Sequence, residues 1–302
     1  MTQTVEFASE TLKRGTLAND AVEEFYEARN RMFAGEVGPI AAIWAEDSDA
    51  VLMCPCGGRH IGYWDIRRGF EAGAARKTKG QIHPRDVVMS VGEELAYCAC
   101  VEQGSITPET TGKELPISIR ATTILKRTGE GWRVLYHHAD PLPEVQAAVG
   151  EKPGEFAAAE AAENDPGVLK ALGRFCGALR AMFTGNLEPI ENIYLKTDEV
   201  TLATPAGNLQ VGWAAVRKAF EAHSRIGLTG TLTYCDAIVR AYGDLAFASY
   251  VESAPDLTVG GKPYALNARA TTIFRKEGRE WYVVHHHSDL SAGLPELCGG
   301  LV

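Results

Sequence analysis

Arg120-Ala121-Thr122-Thr123-Ile124, then Trp132 and His137-His138-Ala139-Asp140, is written a second time as Arg269-Ala270-Thr271-Thr272-Ile273, Trp281 and His286-His287-Ser288-Asp289. The second copy lies 149 positions downstream, Arg269 against Arg120. Towards the N-terminus the offset is 150. There Met32-Phe33-Ala34-Gly35 with Pro39-Ile40 recurs as Met182-Phe183-Thr184-Gly185 with Pro189-Ile190. Ile61-Gly62-Tyr63, Arg67 and Phe70-Glu71-Ala72 recur as Val211-Gly212-Trp213, Arg217 and Phe220-Glu221-Ala222. A period this long is a duplicated domain and not a solenoid, whose repeats run about 20–50 residues. The chain thus supplies its own two-row comparison. Positions where the copies agree belong first to the fold, and positions where they differ mark specialisation.

The 302 residues, 45% hydrophobic and 23% charged, are ordinary for a soluble globular chain of two domains. A net charge of −9 argues against a nucleic-acid surface, which needs a basic stripe. Residues 1–21 have no apolar core of the signal-peptide kind, and no run approaches the ~18 apolar residues of a membrane span. The expectation is a cytoplasmic protein that engages neither membrane nor nucleic acid. Seven cysteines (54, 56, 98, 100, 176, 235 and 298) are an odd number, and none is repeated between the copies. A disulfide framework would have duplicated with the domain, so reduced thiols are expected.

Each copy opens with helical periodicity. Ala21, Phe25, Ala28, Met32 and Phe33 share a face after a candidate N-cap at Asn19-Asp20; Leu172, Phe175, Ala178, Leu179, Met182 and Phe183 do so after Asn164-Asp165-Pro166. Gly35 and Gly185 suit the C-terminal ends. A short helix, a strand ending at Pro55 or Pro205, and a third helix at 63–75 or 213–223 follow. Strands are expected at 81–90, 95–105, 113–127 and 131–140, and at 231–241, 245–253, 262–276 and 280–289. Helices followed by consecutive long strands indicate α+β with an antiparallel-rich sheet. The boundaries read 1–17 for an N-terminal extension, 18–145 for the first domain, 146–165 for a linker, 166–295 for the second domain and 296–302 for a tail.

This order, with Arg-Ala-Thr-Thr-Ile, a hairpin, Trp-x-x-x-x-His-His-x-Asp and the Gly62 or Gly212 entry to the third helix, resembles the NTF2-like superfamily. The nearer likeness is to its SnoaL-like and ketosteroid-isomerase-like branch, once per copy. The resemblance implies two tandem cones, each a strongly curved sheet wrapped around helices and enclosing an apolar pocket. It implies fold more specifically than function, because this superfold hosts isomerases, dehydratases, cyclases, binding modules and assembly domains. It also implies pairing through the sheets, as a pseudo-dimer within the chain or a homodimer.

In such relatives a His near the end of the last strand faces the pocket, a position matched by His138 and His287. Alternation would put Trp132, Val134, Tyr136 and His138 on one face and His137 on the other. A neutral imidazole can move protons near pH 7, yet both could equally be fold-determining. Arg120 and Arg269 lie in apolar runs and must be paired. Glu102 and Glu252 are the expected partners, either as structural pairs or as substrate anchor and base. Unshared residues are the second source of candidates: Tyr26 against Cys176, His60 against Gln210, His83 against Thr233, His223 against Gly73, Tyr250 against Cys100 and His285 against Tyr136. Trp64 is placed with Tyr136, His285, Tyr250, Glu102 and Glu252 among substrate-contacting candidates. His138, His287, Arg120, Arg269, Tyr26 and His60 form the catalytic set. Cys54-Pro55-Cys56 and Cys98-Ala99-Cys100 could offer four thiolates, but C-x-C is not zinc-knuckle spacing, and no metal or cofactor is assigned. Nucleotide-binding and nucleophile-elbow motifs are absent.

The expected function is a cofactor-independent lyase, dehydratase or isomerase acting on a largely apolar, aromatic or polyketide-like small molecule. The alternatives are a non-catalytic small-molecule binder and a protein association module.

Overall fold

The computed structural model describes residues 2–109, 111–149 and 164–289. The chain divides into two compact units, Met1–Ala157 and Ala158–Val302. Unit 1 runs α1 (Thr2–Phe33), α2 (Val37–Ile43), β1 (Val51–Met53), β2 (Arg59–Ile61), α3 (Tyr63–Ala75), β3 (Thr78–Val91), β4 (Leu95–Pro108), β5 (Leu115–Thr128), β6 (Gly131–Ala139) and α4 (Pro143–Val149). Unit 2 repeats the order with α5 (Pro166–Phe183), α6 (Glu188–Ile193), β7 (Thr201–Ala203), β8 (Leu209–Val211) and α7 (Trp213–Ser224). It continues with β9 (Leu228–Thr229), β10 (Thr233–Tyr242), β11 (Leu245–Ala254), β12 (Thr258–Val259), β13 (Lys262–Pro263), β14 (Leu266–Glu277) and β15 (Glu280–Ser288). The two α+β cones expected from the repeat are present.

Each unit has a six-stranded sheet, ordered β2-β1-β6-β5-β4-β3 and β10-β11-β14-β15-β7-β8. All neighbours are antiparallel except β1–β6 and β7–β15, which are parallel. The short strands β2, β8, β9 and β12 have no counterpart in the sequence reading, and β13 falls within the strand expected at 262–276. Curvature comes from identifiable places. The β3–β4 and β10–β11 ladders each carry a bulge, at Arg85/Val88 and Cys235/Ile238, with Asp86 and Asp236 at φ 52 and 51. Gly80 and Gly104 (φ 131 and 157) sit where β3 and β4 approach so closely that a Cβ on either would collide with the facing backbone carbonyl.

The first helix starts earlier than expected. Asn19 and Asp20 do not cap it: α1 runs through them from Thr2. Asp and Asn cost only a fraction of a kcal/mol inside a helix, about 0.7 at most. The buried stripe of Ala18, Ala21, Val22, Phe25 and Ala28 outweighs that preference. In unit 2 the expected cap is made, Asp165 Oδ1 accepting from the Val168 N–H at 2.8 Å. Most of the linker and all of the tail read from the sequence lie outside the described residues.

A further departure concerns the cysteines. Cys54 and Cys56 are joined as a disulfide, their Cα atoms 5.2 Å apart, where reduced thiols were expected. Cys98, Cys100, Cys176 and Cys235 are reduced. Cys298 lies outside the described residues. No described helix is long and apolar enough to cross a membrane.

Candidate functional site

Unit 1 encloses a cavity of about 550 Å³, within the ~300–1,000 Å³ that small-molecule sites occupy. Its walls follow from helix and strand periodicity. On α1, Phe25, Arg29 and Met32 fall at i, i+4 and i+7 and project to one side, all three reaching the cavity. Phe70 and Gly73 come from α3, Ile82 from β3, Ile117 from β5 and His137 from β6. The lining is chiefly apolar, with polar groups gathered in two places.

The first group is buried. Arg29, 8% exposed, donates from Nη1 to Glu102 Oε1, a carboxylate with no solvent exposure on β4. Tyr26 donates its O–H to the same oxygen at 3.0 Å, and His137 Nε2 lies 3.4 Å from it. The other ring nitrogen of His137, Nδ1, is 3.0 Å from Thr123 Oγ1, and Phe25 packs against the ring. Burial by itself would raise the Glu102 pKa. The Arg29 charge and the His137 contact outweigh it and hold the carboxyl down at about 2. Burial and the Glu102 charge in turn push the Tyr26 phenol well above its ordinary value, so it stays a donor. Glu102 Oε2 is buried without a hydrogen-bond partner among the described residues.

The second group stands at the partly exposed wall. His60 follows the disulfide-closed turn on β2, and Asp65 stands in the first turn of α3. Their Nδ1···Oδ2 distance is 3.0 Å, with side chains 28% and 34% exposed. Both line the cavity, where the His60 ring lies over Gly69. Asp65 fixes the ring through Nδ1 and leaves Nε2, which has no hydrogen-bond partner among the described residues, for a ligand. An oriented imidazole backed by a carboxylate is the arrangement that a general base requires.

Unit 2 has the same frame and little space, about 80 Å³. His223 stands where unit 1 has Gly73, Leu228 where it has Thr78 and Leu179 where it has Arg29. The His223 ring is held by the Ala219 carbonyl at 2.6 Å and Thr204 Oγ1 at 3.3 Å, and burial lowers its pKa. With leucine in the place of Arg29, Glu252 is pushed up to about 7. Burial is the main cause and the Asp289 charge adds to it, against hydrogen bonds from Ser288 and Tyr250.

Of the candidates read from the sequence, His60 lines the unit 1 cavity, and Glu252 and His223 line the small cavity of unit 2. His138 and His287 are buried and line neither, and His137 and His286 take those places. The reason is a β-bulge in the β5–β6 ladder between Tyr136 and Val134, and its repeat between His285 and Val283 in β14–β15. The extra residue shifts alternation by one, so faces counted from Trp132 do not carry through to the histidines. Arg120 and Arg269 also take partners other than the expected Glu102 and Glu252. Arg120 sits opposite Val101 and therefore shares that residue's face, while Glu102 points to the other. Arg120 grips Asp140 through Nε (2.6 Å) and Nη2 (2.7 Å), and Arg269 grips Asp289 (2.7 and 3.0 Å). Each aspartate also caps its arginine's backbone N–H at 3.1 Å. These are buried clamps that pin the last strand to its neighbour.

The remaining candidates are placed as follows. Tyr26 reaches Glu102 from behind the cavity wall. Trp64 is 63% exposed on α3 and contacts Tyr63, and His83 is exposed on β3. Tyr136 is fully buried away from the cavity lining. His285 bonds Thr201 Oγ1 at 2.6 Å and Tyr250 bonds Thr272 Oγ1 at 2.8 Å, both inside the unit 2 core. Arg29, His137 and Asp65 were not among the candidates. The two-row comparison carries a signal for the first, since Arg29 stands against Leu179. Among the described residues no His, Cys, Asp or Glu cluster has the arrangement of a metal site.

The chain matches the family model of the SnoaL-like domain twice, over residues 18–142 and 168–292, and belongs to that family as a tandem repeat of the NTF2-like fold. No curated protein matches it. Similar solved structures include a putative dehydratase of the NTF2-like family from Streptomyces avermitilis, 23% identical, covering 43% of this chain and 97% of that one with a TM-score of 0.38. A ketosteroid isomerase-like protein from Erwinia carotovora atroseptica is 17% identical, covers 41% and 92%, and scores 0.35. A CaMKII hub homology domain from Chlamydomonas reinhardtii is 24% identical, covers 41% and 96%, and scores 0.34. At these scores the likenesses carry no argument about activity.

Proposed function

We propose that unit 1 is a cofactor-independent enzyme site for proton-transfer chemistry, a lyase, dehydratase or isomerase acting on a largely apolar small molecule. The observation that carries the reading is the His60–Asp65 pair on the wall of the apolar cavity. In this reading His60 Nε2 removes a proton from a carbon next to a substrate carbonyl. The same imidazolium returns it, to a departing hydroxyl in a dehydration or to a distant carbon in an isomerisation. Asp65 holds the ring orientation through Nδ1. Tyr26 positions Glu102, and no chemical step is assigned to His138, His287, Arg120 or Arg269.

The test is a panel of mono- and polycyclic β-hydroxyketones and β,γ-unsaturated ketones, followed by the absorbance of the conjugated enone. His60→Gln is expected to lower turnover about 10²–10⁴-fold with binding retained. Unchanged turnover in that variant refutes the reading. Binding of the panel with no turnover by the wild type favours the non-catalytic binder. Pairing of the sheets, within the chain or between chains, is proposed alongside. A concentration-independent monomer mass in sedimentation equilibrium excludes the homodimer.

A further inference from the structure

The cavity of unit 1 holds a cation whose hydrogen-bonding capacity is largely unspent. Arg29 is 8% exposed and reaches the cavity, yet only Nη1 is engaged, with Glu102 and, at 3.4 Å, His137. Nε and Nη2 have no partner within hydrogen-bond distance among the described residues. They are not among the buried side-chain atoms that lack a partner, and Arg29 lines the cavity. A guanidinium offers five donors in a planar fork, and leaving several unmade in an apolar enclosure is costly unless a ligand or water completes them.

Arg68 also lines the cavity, but it is paired with Asp65 at 2.9 Å, so Arg29 is the buried cation with donors left over there among the described residues. Unit 2 is the internal control. It keeps the glutamate and the histidine as Glu252 and His286, replaces Arg29 by Leu179, and has almost no cavity. Arginine and open space occur together, and both are missing together.

We infer that unit 1 binds an apolar molecule carrying one carboxylate, with that group on the open Nε/Nη2 edge of Arg29 and the hydrophobic body among Phe25, Met32, Phe70, Ile82 and Ile117. This deepens the reading of unit 1 as a small-molecule site by naming the substrate class, and it holds whether or not turnover follows. A carboxylate matches the guanidinium edge with two parallel bonds, which a neutral carbonyl cannot do. Among the described residues the site belongs to unit 1 and has no counterpart in unit 2.

The experiment is calorimetric or fluorescence titration of the full chain with 2-naphthoate and with its neutral isostere 2-naphthamide. Naphthoate is expected to bind about 10–100-fold more tightly, the usual range for a hydrogen bond made to a charged group. Arg29→Leu, which installs the side chain that unit 2 already accommodates, should bring the ratio to about one with amide binding retained. Arg29→Lys should give an intermediate ratio. Equal affinity for the two probes, an undiminished ratio in Arg29→Leu, or no binding of either probe overturns the inference. Should Arg29→Leu not fold, the wild-type ratio and Arg29→Lys still decide. Absence of turnover on the ketone panel, with the naphthoate preference intact, refutes the catalytic reading and leaves this one standing.

Discussion

Glu102 and Glu252 occupy the same position in the two units and should respond to pH in opposite directions. Glu102 is held down at about 2 and Glu252 is pushed up to about 7, from a common starting value of 4.5. Each displacement corresponds to about 3 kcal/mol at ~1.36 kcal/mol per pH unit. Both carboxyls are buried, so solvent screening does not reduce the effect much. For Glu102 the folded state releases its proton first. Unit 1 therefore has the full stabilisation above pH ~4.5 and loses it as pH falls towards 2. For Glu252 the unfolded chain releases its proton first. Unit 2 has the full stabilisation below pH ~4.5 and loses it as pH rises through about 7. Hydrogen exchange of the full chain in increasing urea, read on peptides from β4 and β6 against those from β11 and β15 and corrected for intrinsic rates, separates the units. Glu252→Gln should flatten the unit 2 profile and stabilise that unit by up to about 3 kcal/mol at pH 8, with little effect at pH 4. Glu102→Gln should destabilise unit 1 by about 3–5 kcal/mol at pH 7, because Arg29 is left buried without its counter-charge. Parallel profiles for Glu252→Gln and the wild type, or wild-type stability at pH 7 in Glu102→Gln, would refute the reasoning.

Two other outcomes are expected. Gly73→His should close the unit 1 cavity as His223 closes that of unit 2. A Cβ at Gly73 meets nothing nearer than Met32 at 3.8 Å, so thermal stability should hold while 2-naphthoate binding disappears in titration. Arg120→Met leaves Asp140 buried without its partner and should cost about 3–5 kcal/mol in chemical denaturation, whereas adding Asp140→Asn to that variant should recover part of the loss.

How much of this was legible can be judged from particular residues. The repeat located both cones because what recurs is what a curved sheet needs: glycines at helix ends, β-branched runs and the Arg and Asp of the clamp. Asp140 was visible as a repeated residue, but its pairing with Arg120 across 20 positions depends on the β5–β6 register. His137 was assigned to the wrong face because a bulge is not written in the hydrophobic pattern on either side of it. The Cys54–Cys56 disulfide escaped an argument based on duplication, because it belongs to one unit only.

Sequence alone therefore determined the two α+β units, their family and the expectation that their pockets differ, because local periodicity and an internal repeat are properties of chain order. Tertiary structure decided which pocket is open and what stands in it. Arg29, Glu102 and His137 are separated by 73 and 35 positions and meet only when α1, β4 and β6 close the cone. The resulting charges depend on burial and on what closes around each carboxyl: the Arg29 charge and the His137 contact hold Glu102 at about 2 against its burial, whereas burial and the Asp289 charge lift Glu252, which has leucine in place of the arginine, to about 7.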